Sequence, residues 1–360
     1  MKTTDTRVRR AITAVGAGRP VVITMGPEND HEGYLAFAAE AATPQLLAFT
    51  VRHSSGYVRV ALPTAECERL NLPPICHRGD THSDAGAHRV AVDWRGTGTG
   101  ISATDRAATI AALAAKDSEP SDFRRPGHVV PVEVAAAGVL GRPGPAEAAV
   151  DLARLAGRRA AAALCDIVSR HRPSAMARGG ELLEFALEHG LAVVSVAELV
   201  SYRRRVEPQV VRMAETVLPN RGSAFRAIGF RDAHGDGEHL AVIIGDVGAG
   251  VPVPLHVHVE CLTSDVFGST ACRCGTDLDR ALSDMRAQDG GVVIYLRPPG
   301  PMRACGLTNT EQFESEAVSQ AVAWILRDLG VYTVRLSDDA PGFGLVIFGA
   351  IREHGLRVAG

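Results

Sequence analysis

The chain has 360 residues, enough for two domains with separate cores. Its 46% hydrophobic and 22% charged residues are those of a globular protein, and no apolar run approaches the roughly 20 residues of a membrane span. A formal net charge of -3 argues against bulk nucleic-acid binding, leaving small-molecule chemistry as the expectation.

The opening "MKTTDTRVRRAITAV" lacks the apolar core of a secretory signal, so a cytoplasmic location is expected. Strand-like runs follow at "PVVITM", "LLAFTV", "HVVPVEV" and "LAVVSV", alternating with helical stretches "RAATIAALAA", "AEAAVDLARLAG" and "GELLEFALEHG". This predicts a mixed α/β domain over residues 1–205. The polar "SYRRRVEPQV" marks a boundary, and its Arg203, Arg204 and Arg205 form a short basic run suited to a local anionic contact. A second series covers residues 206–360, with strands "LAVIIGDV", "VPLHVHV", "GVVIYL", "YTVRL" and "FGLVIFG" and helices "DLDRALSDMRAQ" and "EAVSQAVAWILRDLG". The predicted architecture is therefore α/β (α+β), two mixed-sheet domains with no internal repeat.

Of seven cysteines, Cys261, Cys272 and Cys274 form a C-x10-C-x-C cluster, and the odd total does not suit a disulfide framework. Three thiolates fall one short of a closed structural zinc site. Three protein ligands with one open position is the catalytic arrangement, in which zinc lowers the pKa of bound water. A fourth ligand from His256, His258 or the distant Cys305 is the alternative, and chance clustering in a loop is the third reading. The open zinc site is favoured because "CRC", flanked by Gly, Asp and Arg, reads as a polar turn.

The stretch "HVHVECLTSDVFGSTACRCGTDLDRAL", preceded by "GDV" at Gly245 to Val247, resembles the zinc-binding segment of GTP cyclohydrolase II. The resemblance implies Zn2+ on Cys261, Cys272 and Cys274, with its water attacking guanine C8. The chain departs from that family at His256, where an arginine is usual, and at Asp277, where a glutamine is usual. It departs further at "LRPPGPMRACGL", which keeps Arg297, Arg303 and Gly306 but no acidic residue for the guanine edge, and at "TNTEQFESEAVSQ" and "SDDAPGFG".

The first half resembles 3,4-dihydroxy-2-butanone 4-phosphate synthase through "VRHSSG", "GISATDRAATIAAL", "PSDFRRPGHVVPVEVAAAGVLGRPGPAEAAVDLARLAG" and "AMARGGELLEFALEHGLAVVSVAELVSYR". That reaction enolises a sugar phosphate, rearranges its skeleton and expels formate, using a divalent ion, carboxylates and a histidine. The resemblance implies substrate-binding roles for Asp105, Arg106, Thr109, Arg125, Arg142 and Glu147, and catalytic roles for Asp30, Glu32, His128 and Asp166. It also implies Mg2+ or Mn2+. Yet Asp30 and Asp166 stand where glutamates are expected, Tyr34 where an aspartate is, and Pro145, which has no donor, where a liganding histidine is. The loop "CHRGDTHSDAGAHRV" adds Cys76, His77, His82 and His88, read as solvated side chains or as a replacement metal or proton-transfer site.

Three readings follow from these resemblances. The retained cysteines favour a paralogue of the bifunctional riboflavin enzymes, redirected to another phosphorylated sugar or a purine-type nucleotide. The others are a working enzyme of riboflavin biosynthesis, with or without cyclohydrolase activity, and a non-catalytic scaffold. A homodimer is expected under each, with no membrane or nucleic-acid partner.

Overall fold

The computed structural model describes residues 3–26, 31–75, 87–220, 223–247, 251–307, 315–336 and 344–359. The chain forms two compact units, Met1–Arg203 and Arg204–Gly360.

The first unit runs α1 (Thr3–Gly16), β1 (Val21–Thr24), β2 (Gly33–Ala38), α2 (Pro44–His53), β3 (Arg59–Pro63), α3 (Thr64–Arg69) and β4 (Val92–Trp94). It continues through α4 (Ala103–Ala114), β5 (Phe123–Val134), α5 (Pro145–Leu155), β6 (Ala162–Asp166), α6 (Gly180–Glu188), β7 (Ala192–Ser195) and α7 (Val196–Val206). Its strands make a seven-stranded mixed sheet in the order β4-β5-β3-β6-β2-β1-β7. Successive strand residues face opposite sides. Ala162 and Leu164 of β6 therefore enter the core under α1 and α5, while Ala163 and Cys165 enter the one under α2 and α4. Both faces are covered, which is why these strands read as continuous apolar runs rather than alternating ones.

The expected strand "LLAFTV" is instead part of α2. The Thr43 hydroxyl accepts the Leu46 N–H at 3.1 Å and Pro44 occupies the first turn, so the segment starts as a capped helix. Arg203 is a second correction. The polar run near the boundary continues α7, and Arg203 is buried against Asp151 at 2.7 Å instead of facing solvent.

The second unit contains β8 (Val210–Asn220), β9 (Ser223–Asp232), β10 (Glu238–Gly245), β11 (Val253–Val259), α8 (Leu262–Asp265), α9 (Cys274–Ala287) and β12 (Gly290–Arg297). After these come α10 (Ser315–Asp328), β13 (Thr333–Leu336), α11 (Gly344–Glu353) and β14 (Arg357–Val358). The sheet order is β14-β13-β11-β12-β10-β9-β8, with β14, β13, β11 and β12 parallel and the rest antiparallel. "FGLVIFG", expected as a strand, is helical in α11 from Gly344 onward, its first residue lying outside the described residues: Ile347, Ala350 and Ile351 recur at helical spacing and join Val322, Ile325 and Leu326 of α10 in the main core. Short apolar runs of this kind do not separate strand from buried helix by periodicity.

On β11, Leu255 and Val257 point into that core, so the alternating His256 and His258 lie on the opposite face, the side against which α9 packs. A smaller cluster of Phe225, Ile244, Met285 and Val293 fills that side.

Candidate functional site

Four cysteines converge at the end of β11. Cys261 precedes α8, Cys272 lies in the turn that follows, Cys274 is the first residue of α9, and Cys305 comes from the segment beyond β12. Their sulfurs all lie within 4.8 Å of one another, with Cys261–Cys272 at 3.8 Å and Cys274–Cys305 at 3.9 Å. Among the described residues this is the one group of metal-capable side chains so assembled.

Asp265 organises the approach. Its Oδ2 accepts the Cys261 N–H at 2.9 Å and the Tyr295 hydroxyl at 2.7 Å, and stands 2.9 Å from His258 Nε2. Burial, then the hydrogen bond to Asp265, pushes the Tyr295 hydroxyl pKa upward. Thr263 Oγ1 sits 3.5 Å from Cys261 Sγ and donates to the Cys305 carbonyl at 3.1 Å.

Burial alone would raise the Cys261 thiol, but its contact with Thr263 and hydrogen bonds with the backbone at Cys305 and Ser264 bring it down to about 6. Burial pushes Cys305 up to about 11, and burial together with the neighbouring thiols pushes Cys274 upward too. Thiols this close cannot all ionise unless a cation compensates them. Four sulfurs bound tetrahedrally to zinc at about 2.3 Å would stand roughly 3.8 Å apart, so the donor set fits that ion. The expected ligands Cys261, Cys272 and Cys274 come together, and Cys305 joins them. His258 is engaged with Asp265 instead, and His256 is not part of the group.

Beside this centre a cavity of about 380 Å³ is lined by Glu238, Glu260, Arg297, Pro299 and Arg303, among others. Arg297, one of the two arginines this stretch keeps, is paired with Glu260. Asp277 is within 3.4 Å of Arg273.

In the first unit, His128 of β5 places Nδ1 2.8 Å from Asp93 Oδ2, and its backbone N–H donates to Asp93 Oδ1 at 2.9 Å. Asp93 is buried whereas the His128 side chain is 40% exposed, which leaves Nε2 as the atom able to exchange a proton. Two glycines permit this fit. A Cβ on Gly127 would lie 2.0 Å from the Val92 carbonyl carbon, and Gly100, at φ +84, would put one 2.1 Å from Asp93 Oδ2.

Asp105, at the start of α4, accepts the Gly98 and Gly100 N–H groups at 3.4 and 3.2 Å and so shapes the same loop. Arg106 is buried and donates to the Gly56 carbonyl at 3.0 Å. Thr109 is fully buried, accepting from the Trp94 N–H and donating to the Asp105 carbonyl, and so holds β4 to α4. Arg125 donates to the carbonyls of Pro120, Leu70 and Asn71. Several side chains expected to bind substrate thus build the loops around His128.

Arg59 pairs with Asp166 at 2.8 Å and lies over the rings of Tyr34 and Tyr57, at 5.5 and 6.0 Å. Glu32 pairs with Arg178 at 2.7 Å. Arg142 and the buried Glu147 form an ion pair, Glu147 also accepting the Ala135 N–H and Arg142 donating to the Glu133 carbonyl. This pair meets β5 five residues beyond His128, roughly 17 Å along the strand, so the two groups do not share one contact. Pro145 occupies the first turn of α5. Asp30, Cys76, His77 and His82 lie outside the described residues. His88 bridges to Val132 and lies 6.4 Å from the Tyr57 ring.

Sequence reasoning missed Asp93, Arg59 and Asp265. Asp93 and Arg59 act through partners 35 and 107 residues away, and Asp265, although it also meets Cys261 and His258 nearby, takes its Tyr295 contact from 30 residues on.

Residues 9–202 match the family model of 3,4-dihydroxy-2-butanone 4-phosphate synthase, and residues 211–342 match that of GTP cyclohydrolase II. The chain is 48% identical over 292 residues to riboflavin biosynthesis protein RibBA of Nocardia farcinica, covering 81% of this chain and 70% of that one. It is 44% identical over 373 residues to the protein of the same name in Rhodococcus erythropolis, covering 94% and 87%. Among solved structures it resembles RibBX, a two-domain 3,4-dihydroxy-2-butanone 4-phosphate synthase of A. baumannii, at TM-score 0.74 and 27% identity, covering 98% of this chain and 99% of that one. A 3,4-dihydroxy-2-butanone 4-phosphate synthase in complex with two magnesium ions matches at TM-score 0.51 and 38% identity, covering 56% of this chain and 97% of that one. The chain therefore belongs to the riboflavin-biosynthesis family in which a 3,4-dihydroxy-2-butanone 4-phosphate synthase domain precedes a GTP cyclohydrolase II domain.

Proposed function

We propose that the first unit acts on a phosphorylated ketose, moving a proton on the carbon beside its carbonyl as 3,4-dihydroxy-2-butanone 4-phosphate synthases do, with ribulose 5-phosphate as the first substrate to test. The observation that carries this is the His128–Asp93 pair, an exposed imidazole oriented by a buried carboxylate. Asp93 fixes which ring nitrogen carries the proton, and His128 Nε2 takes the substrate proton and returns it. Similarity to the RibBA proteins and to the two-domain synthase of A. baumannii favours the complete reaction, ending in formate and dihydroxybutanone phosphate.

A second reading, proton transfer redirected to another phosphorylated sugar, is favoured by the carboxylates themselves. Asp166, Glu32 and Glu147 each face an arginine, Pro145 offers no donor, and among the described residues of the first unit no group of three or more metal-capable side chains comes together. In the second unit the cysteines fit the zinc of the cyclohydrolase family.

Incubation with ribulose 5-phosphate and Mg2+ in deuterated water separates the readings. Formate together with deuterium in the product supports the complete reaction. Deuterium in ribulose 5-phosphate or another sugar phosphate without formate supports the redirected enzyme, and neither signal with any of them removes both. Where exchange occurs, Asp93→Asn should slow it by about 10²- to 10⁴-fold with little change in substrate affinity.

A further inference from the structure

We infer that Cys305 is the fourth ligand of a closed tetrathiolate zinc site, so that the second unit uses zinc to hold its fold and not to activate water. The assignment rests on geometry. Cys274 and Cys305 stand 3.9 Å apart, Cys261 and Cys272 stand 3.8 Å apart, and all four sulfurs fall within 4.8 Å. These are the edges of a tetrahedron around one zinc, where bonds of about 2.3 Å give sulfur–sulfur separations of roughly 3.8 Å.

The backbone already holds Cys305 at that corner. The Leu262 N–H donates to the Arg303 carbonyl at 2.8 Å, the Thr263 hydroxyl donates to the Cys305 carbonyl at 3.1 Å, and Ala304 between them is buried. The segment carrying Cys305 is therefore docked on the loop carrying Cys261 by contacts on both sides of the ligand. Zinc binding displaces the thiol protons and leaves the centre with a net charge of −2. Cys274, as the first residue of α9, places that charge at the positive end of a 14-residue helix.

A site filled by four thiolates has no position for water, and a water not bound to zinc is not acidified. The stretch "LRPPGPMRACGL" thus contributes a metal ligand while lacking the family's glutamate for the guanine edge, and it ties the end of β12 to α8 and α9 across 31 residues of chain. Hydrolytic opening of a purine ring is excluded by the same ligand that completes the fold.

X-ray absorption at the zinc edge of the purified full-length protein tests this. Four sulfur neighbours at about 2.3 Å with no oxygen or nitrogen are expected, whereas three sulfurs and one lighter atom would overturn the inference. Cys305→Ser should convert the first pattern into the second and speed zinc loss to a chelator by at least about tenfold, since even outer partners of a metal site are worth that much. A Cys305→Ser protein with the wild-type sulfur count would overturn the inference. If that variant does not fold, the wild-type spectrum decides alone. Formate released from GTP by the zinc-loaded wild type would overturn the structural role. The ribulose 5-phosphate assay reads the other unit, so either conclusion can fail without the other.

Discussion

The environment of each charged side chain decides what it does, and Arg203 illustrates how far this departs from its place in a basic run. Its guanidinium donates to Asp151 Oδ2 at 2.7 Å and to the Ala137 carbonyl at 2.8 Å, both groups of the pair being almost fully buried. Asp151 also accepts the Val139 N–H at 2.8 Å, and burial, opposed by Arg203, pushes its pKa up. Removing one partner of a buried pair leaves the other charge uncompensated. Arg203→Ala should therefore destabilise the first unit by about 3–5 kcal/mol in urea unfolding, and adding Asp151→Ala should recover part of that loss. A single variant as stable as wild type would mean that the pair contributes nothing. At the same scale, His128 and the three clustered cysteines were visible in the sequence because their motifs are local. Asp93 was not marked as a partner, and Cys305 stood only as one of three candidates for a fourth ligand, because the contacts they make cross 35 and 31 residues.

Helices with clear amphipathic spacing were legible, and two helices built on short apolar runs were not. The helices α4, α5, α6, α9 and α10 follow from helical spacing, while α2 and α11 present short apolar runs that either structure can bury. Their type is set by what they pack against and, for α2, by the Thr43 cap. Just beyond α11 the ring of His354 is packed edge-on to Trp324, with Nε2 2.6 Å from Gln320 Oε1 and Nδ1 3.4 Å from Arg327, contacts that a neutral ring with its proton on Nε2 satisfies. Burial, then the Arg327 charge, lowers its pKa to about 4 from 6.5. Between these values the unfolded chain binds a proton that the folded chain refuses, so stability rises with pH there. The contribution is intact above pH 6.5, declines as pH falls toward 4 and is level below it. Comparing urea midpoints of wild type and His354→Gln between pH 7.5 and 4.5 checks this. Any stability advantage of wild type should shrink on acidification, and a constant difference would rule the mechanism out.

The whole molecule divides into two units with separate cores, and each sheet is covered on both faces by helices. The zinc-type centre sits wholly in the second unit, joining the ends of β11 and β12 to the start of α9. Stripping the metal should lower the unfolding temperature of the second unit by about 10 °C or more, consistent with several kcal/mol from a structural metal, and leave the first unit unchanged. Differential scanning calorimetry before and after chelation would resolve this, and an unshifted second transition would mean that the cysteines do not support the fold.

The sequence by itself determined the two α/β halves, their family resemblance and the local motifs at His128 and at Cys261 to Cys274, because motif and strand patterns are written in consecutive residues. Tertiary structure alone decided which carboxylates face arginines, which histidine has a buried orienter, and that a fourth thiol reaches the other three. Those outcomes depend on strand order and loop docking, which bring together side chains whose separation along the chain carries no signal of their meeting.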